Sequence, residues 1–124
     1  MTKIAIIEDN QTIGRMYGMK FEADGFEVRI AIDGKAGVDL VKTFNPDIIL
    51  LDIQMPEMDG AEALKLIRED EASKSTPVII LTNIGEEEAP SEMKALNVHS
   101  YIVKANYTPR QVVALVKSTI KDLV

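Results

Sequence analysis

The chain has 124 residues, 46 % of them apolar, enough for one packed domain and too few for two. Fourteen basic residues against twenty acidic leave a net charge of -6, which disfavours direct nucleic-acid binding and an electrostatic membrane anchor. The absence of cysteine excludes disulfides, thiolate metal sites and cysteine nucleophiles, and fits a reducing, cytoplasmic setting.

Met1-Thr2-Lys3 leads straight into the apolar run Ile4 to Ile7, so no signal peptide is expected. Further runs are Val28 to Ile32, Ile48 to Leu51, Val78 to Leu81 and Tyr101 to Val103, all far too short to cross a bilayer. The first, third and fourth are almost continuously apolar, as strands covered on both faces should be. Amphipathic stretches lie between them. Ile13, Met16, Tyr17 and Phe21 share one helical face, as do Gly37, Leu40, Val41 and Phe44. Leu64 and Ile67 mark a third helix, and Met93 and Leu96 a fourth. Val112, Leu115, Val116 and Ile120 mark the last.

Asp24-Gly25, Asp33-Gly34 and Asp59-Gly60 read as turns, Pro46 and Pro77 precede strands, and Thr108-Pro109 reads as N-cap and first helical residue. The pattern is β-α five times over. It predicts one α/β domain, a doubly wound, flavodoxin-like (βα)₅ fold whose parallel five-stranded sheet has the order 2-1-3-4-5. A ligand crevice is expected beyond the carboxyl ends of the strands, between strands one and three.

The residues that close the strands carry the chemistry. Strand one ends in Glu8-Asp9, strand three in Asp52, strand four in Thr82 and strand five in Lys104. In a parallel sheet all five gather at one edge. Any one of them could simply mark where a strand meets water. Five of this composition on one edge argue for a site. Carboxylates beside each other repel and need a cation, and oxygen ligands without nearby His or Cys suit Mg²⁺. A lysine and a hydroxyl facing them suit a phosphoryl group.

Along its whole length, 1–124, the chain resembles the response-regulator receiver domain of two-component signalling, single-domain type. The resemblance is carried by Ile6-Ile7-Glu8-Asp9-Asn10, by Ile49 to Pro56 followed by Met58-Asp59-Gly60, by Leu81-Thr82, and by Tyr101-Ile102-Val103-Lys104. It implies that Asp52 is the phosphoacceptor, which the residues alone do not decide among the carboxylates. It implies that Glu8, Asp9 and Asp52 hold Mg²⁺ together with the Gln54 carbonyl. It further implies that Thr82 hydrogen-bonds the phosphoryl group, and that Lys104 pairs with Asp52 before phosphorylation and with the phosphoryl group after. Tyr101 resembles the aromatic that turns inward when Thr82 moves; a core-filling role for it stays open.

The sequence departs from the family pattern in places. Ala105 follows Lys104 where the family has proline after a cis bond. The Lys104–Ala105 peptide is nevertheless expected to be cis, so that Lys104 points into the crevice. Asn83 is expected to narrow donor access. The longer arm of Glu8 is expected to reach metal through a water. Ile84 is expected to shield the phosphoryl group from hydrolytic water, partly opposed by Gln54. His99 reads as a surface residue, Glu86-Glu87-Glu88 as a solvated first helical turn, and Met16, Met19 and Met93 as packing residues.

The expected function is a phosphorylation-activated switch. It takes a phosphoryl group on Asp52 from a sensor histidine kinase or a histidine phosphotransfer protein. It catalyses its own Mg²⁺-dependent phosphorylation and dephosphorylation, with no small-molecule turnover. Since no output domain is expected after Leu123-Val124, the signal is expected to leave by protein contact through the face of predicted helix four, strand five and helix five. The switch is expected to be a monomer or weak dimer, without direct nucleic-acid contact or membrane insertion. The alternative is a phosphorylation-independent interaction module on the same fold. A phosphatase of the haloacid-dehalogenase type is disfavoured because Gln54 stands where that chemistry wants an acid. A dinucleotide binder is disfavoured because Glu8-Asp9-Asn10 replaces a Gly-rich loop.

Overall fold

A computed structural model describes residues 2–53, 58, 60–82, 96 and 98–122. In chain order they form β1 (Lys3–Ile7), α1 (Gln11–Ala23), β2 (Glu27–Ala31), α2 (Gly34–Phe44), β3 (Ile48–Leu51), α3 (Gly60–Glu69), β4 (Val78–Thr82), β5 (Ser100–Val103), a 3₁₀ turn (Lys104–Asn106) and the C-terminal helix, labelled α4 (Pro109–Asp122). The strands make one parallel sheet in the order β2-β1-β3-β4-β5. The predicted helix marked by Met93 and Leu96 falls largely outside the described residues.

The near-continuous apolar runs reflect burial on both faces. Alternate side chains serve opposite layers, because a strand has a period of two. Ile7, Ile49, Leu51 and Ile80 pack with Val41, Leu64 and Ile67 of α2 and α3. Ile6, Leu50, Ile79 and Leu81 pack on the other side with Tyr17, Phe21, Val112 and Val116 of α1 and α4. Strand β2 lies at the sheet's edge, so Ile30 and Ile32 stay partly in solvent.

Helix ends follow local chemistry. Asn10 caps α1, its side-chain oxygen accepting from Ile13 N–H at 3.0 Å. Asp33 does not form the expected turn with Gly34. It caps α2 instead, accepting from Ala36 N–H at 2.7 Å, and Gly34 is already helical. Thr108 and Gln111 form a reciprocal capping box at the start of α4, with bonds of 2.8 and 3.2 Å.

Arg68, in the last turn of α3, donates to the carbonyls of Leu96, Ser73 and Thr76 at 2.8, 3.0 and 2.7 Å. This fork ties the α3–β4 connection to the stretch that leads into β5. Met19 corrects the packing expectation: it is 64 % exposed, because it lies on the outer face of α1 while Tyr17, Gly18 and Phe21 face the sheet.

Candidate functional site

Strands β1 and β3 are neighbours with Ile7 opposite Leu51, so the residues that follow, Glu8 and Asp52, emerge side by side. Their backbones are pinned by Glu8 N–H to Ala31 C=O at 3.0 Å and Asp52 N–H to Ile7 C=O at 2.9 Å. Both side chains are buried, whereas Asp9 is exposed. Glu8, Asp9 and Asp52 each offer a carboxylate oxygen, and these oxygens all lie within 4.8 Å of one another.

Thr82 closes β4 and is fully buried; it is level with Val103, so Lys104 emerges next to it. The Lys104 ammonium donates to Glu8 Oε1 at 2.6 Å and stands 3.8 Å from Asp52 Oδ2. The second Glu8 oxygen accepts from Asn10 N–H at 3.2 Å. Among the described residues, the three carboxylates thus face the Lys104 ammonium, and the start of α1 adds the partial charge of a helix N-terminus. The local field favours a further cation.

The donor set fits Mg²⁺. It consists of carboxylate oxygens close enough to share one ion, without imidazole or thiolate among them.

The Lys104–Ala105 peptide is not cis, since no described peptide bond is. The chain instead leaves β5 through the 3₁₀ turn, closed by Tyr107 N–H to Lys104 C=O at 3.4 Å. Trans geometry suffices because the four-carbon arm of lysine, not the backbone, carries the ammonium to the carboxylates.

Tyr101 is partly buried against the α2–α3 side of the core. His99 lies exposed at the start of β5, the opposite end of the strand from Lys104, with Nδ1 2.9 Å from Ser100 Oγ. Gln54, Asn83, Ile84, Glu86, Glu87, Glu88 and Met93 lie outside the described residues.

Two further residues shape the site without a sequence motif that marks them for it. Asn10 both caps α1 and holds Glu8; an Asn just before a helical period was the available signal. Gly60 starts α3 against the back of the Asp52–Ile53 backbone, donating to Ile53 C=O at 2.7 Å. A Cβ there would collide with the Asp52 carbonyl. The only signal was a glycine after aspartate, which reads equally well as a plain turn.

A parallel sheet in this order with an acidic cluster at its carboxyl edge defines a class, and comparison with known proteins agrees. Residues 4–117 match the family described as response regulator receiver domain, and the chain belongs to that family, which serves two-component signalling. It is 36 % identical over 104 residues to regulatory protein AtoC of Escherichia coli, and 37 % identical over 119 residues to transcriptional regulatory protein SrrA of Staphylococcus aureus. These matches take in 84 % and 96 % of the chain, but only 22 % of AtoC and 48 % of SrrA.

Among solved structures, the chemotaxis protein CheY4 of Vibrio cholerae superposes with a TM-score of 0.87 at 28 % identity, over 95 % of this chain and 98 % of that one. The receiver domain of Francisella response regulator 1452 gives 0.86 at 29 % identity over the full length of both. Among the described residues, no helix is long and apolar enough to cross a membrane.

Proposed function

We propose that this chain is a phosphorylation-dependent switch that accepts a phosphoryl group on Asp52 from a histidine kinase or a histidine phosphotransfer protein. The observation that carries the reading is the buried Asp52 carboxylate, set among Glu8, Asp9 and Lys104 at the carboxyl edge of the sheet. In the transfer an Asp52 oxygen bonds to phosphorus as the donor's phosphorus–nitrogen bond breaks.

Such a transfer needs placement and charge neutralisation more than covalent help. Glu8, Asp9 and Asp52, with the Gln54 carbonyl, would hold Mg²⁺, which when bound neutralises charge on the phosphoryl oxygens. Lys104 moves its ammonium from Glu8 to a phosphoryl oxygen, and the Thr82 hydroxyl donates to another. Through Thr82 and Tyr101 the added charge changes the surface, and the signal leaves by protein contact. Residues 1–124 act as one receiver unit in this reading, in the cytoplasm where kinases of this type transfer.

The test is incubation with acetyl phosphate in Mg²⁺ buffer and, separately, with a chelator. Phosphoryl incorporation should require the metal; equal incorporation in both would remove the metal from the chemistry, and no incorporation in either would leave the phosphorylation-independent module as the better account.

A further inference from the structure

The connection from β3 to α3 starts at Asp52, and its ends are joined where Gly60 N–H donates to Ile53 C=O at 2.7 Å. Within it, Met58 is partly buried against the α2–α3 side of the core. The Met58 backbone lies directly on Gly34, the first residue of α2. A Cβ at Gly34 would run into the Met58 carbonyl oxygen and stand 3.0 Å from both the carbonyl carbon and the Met58 Cβ. The φ of Gly34 lies outside the left-handed region, so glycine is needed here for space and not for backbone freedom.

Neither side of this contact can yield cheaply. Gly34 is buried, and the Asp33 cap holds the first turn of α2 in place. On the other side, Gly60 is pressed against the Asp52 carbonyl and the Ile53 Cα. The chain from Met58 to Gly60 is therefore wedged between the start of α2 and the end of β3. A methyl group at Gly34 has to push Met58 away, and packed backbone passes that displacement on to Asp52. We propose that Gly34 is a positioning residue of the metal site: by admitting the Met58 carbonyl, it fixes the chain that backs the Asp52 carboxylate. The inference rests on the metal assignment in the functional reading above. It draws in α2, which lies outside the cluster of Glu8, Asp9 and Asp52.

Isothermal titration with Mg²⁺ alone reads the effect without any phosphoryl transfer. Gly34→Ala should bind Mg²⁺ about tenfold more weakly, the usual cost of disturbing a group that holds a metal ligand from behind. Alanine is the better helix former, so a change acting on α2 alone would steady the helix and leave the affinity as it was. Gly18→Ala is the control: its methyl crowds the Ile30 side chain at 3.1 Å, and it should keep wild-type affinity. A Gly34→Ala protein with wild-type affinity would overturn the proposal whatever its stability, and so would an equal loss in Gly18→Ala. A second measurement uses the wild type and stands even if Gly34→Ala does not fold. Saturating Mg²⁺ should move the Gly34 amide resonance in a proton–nitrogen spectrum, while that of Gly25, in the turn after α1, stays in place. An unmoved Gly34 resonance would overturn the proposal. A wild type that binds no Mg²⁺ would overturn the metal assignment itself, and Gly34's role with it.

Discussion

Lys104 reaches across the sheet edge to hydrogen-bond Glu8 at 2.6 Å, while its distance to Asp52, 3.8 Å, is that of an ion pair without a hydrogen bond. A glutamate one methylene longer than aspartate makes this possible. The resting lysine therefore serves as the internal counter-ion of the carboxylate next to Asp52. Any added cation competes with it for Glu8.

That competition gives the first prediction. Removing Lys104 takes from the buried Glu8 carboxylate the ammonium bonded to it at 2.6 Å, so Lys104→Ala should lose about 3–5 kcal/mol of stability in metal-free buffer. Mg²⁺ should then restore more stability to the variant than it adds to the wild type, because binding stabilises by linkage and no lysine has to be displaced. Urea unfolding with and without Mg²⁺ measures both. Equal Mg²⁺ stabilisation of the two proteins would show that lysine and metal do not compete.

Asp9 is exposed and has no counter-ion among the described residues, yet it shares the cluster. Asp9→Asn should relieve repulsion and raise metal-free stability, by up to about 1 kcal/mol given its solvent screening. It should also weaken Mg²⁺ binding in isothermal titration. Unchanged affinity would remove Asp9 from the metal site.

The Arg68 fork was invisible in the sequence, since its acceptors are backbone carbonyls that leave no residue signature. Arg68→Met should strand those carbonyls, partly buried as they are, and cost about 2–4 kcal/mol. Arg68→Lys should recover only part of this, because an ammonium cannot reproduce the planar fork. Chemical denaturation giving wild-type stability for Arg68→Met would show that water satisfies the carbonyls as well as arginine does.

Gly60 supports the strand end from behind. A Cβ at this position meets the Asp52 carbonyl and the Ile53 Cα, both backbone atoms that cannot rotate away. Gly60→Ala should cost about 1–3 kcal/mol by overpacking. It should also slow phosphorylation by acetyl phosphate, since Asp52 itself must shift. Slower unfolding or an unaltered phosphorylation rate would contradict the proposed support.

Much of the architecture is legible in the sequence. Ile4 to Ile7, Ile48 to Leu51 and Val78 to Leu81 are apolar at every position because helices cover both sides of those strands, and that burial is visible as composition. Strand order followed from alternation and handedness. Parallel strands carry their final polar residues to one edge, which made Glu8, Asp9 and Asp52 legible as a cluster.

What stayed hidden depends on side-chain reach and local backbone choice. The preference of Lys104 for Glu8 over Asp52 turns on arm length across two strands. The trans bond at Lys104–Ala105 depends on a 3₁₀ turn that no spacing announced. Asp33-Gly34 carries the composition of a turn, but the same aspartate chemistry caps a helix, and only the following residues' geometry decides between them.

The central claim is that one residue, Asp52, takes the phosphoryl group, and intact-mass spectrometry after exposure to acetyl phosphate and Mg²⁺ tests it most directly. The wild type should gain a single phosphoryl group, and Asp52→Asn should gain none while still folding to a wild-type circular dichroism spectrum. A phosphoryl adduct that persists on Asp52→Asn, or a wild type that never acquires one, would contradict the account.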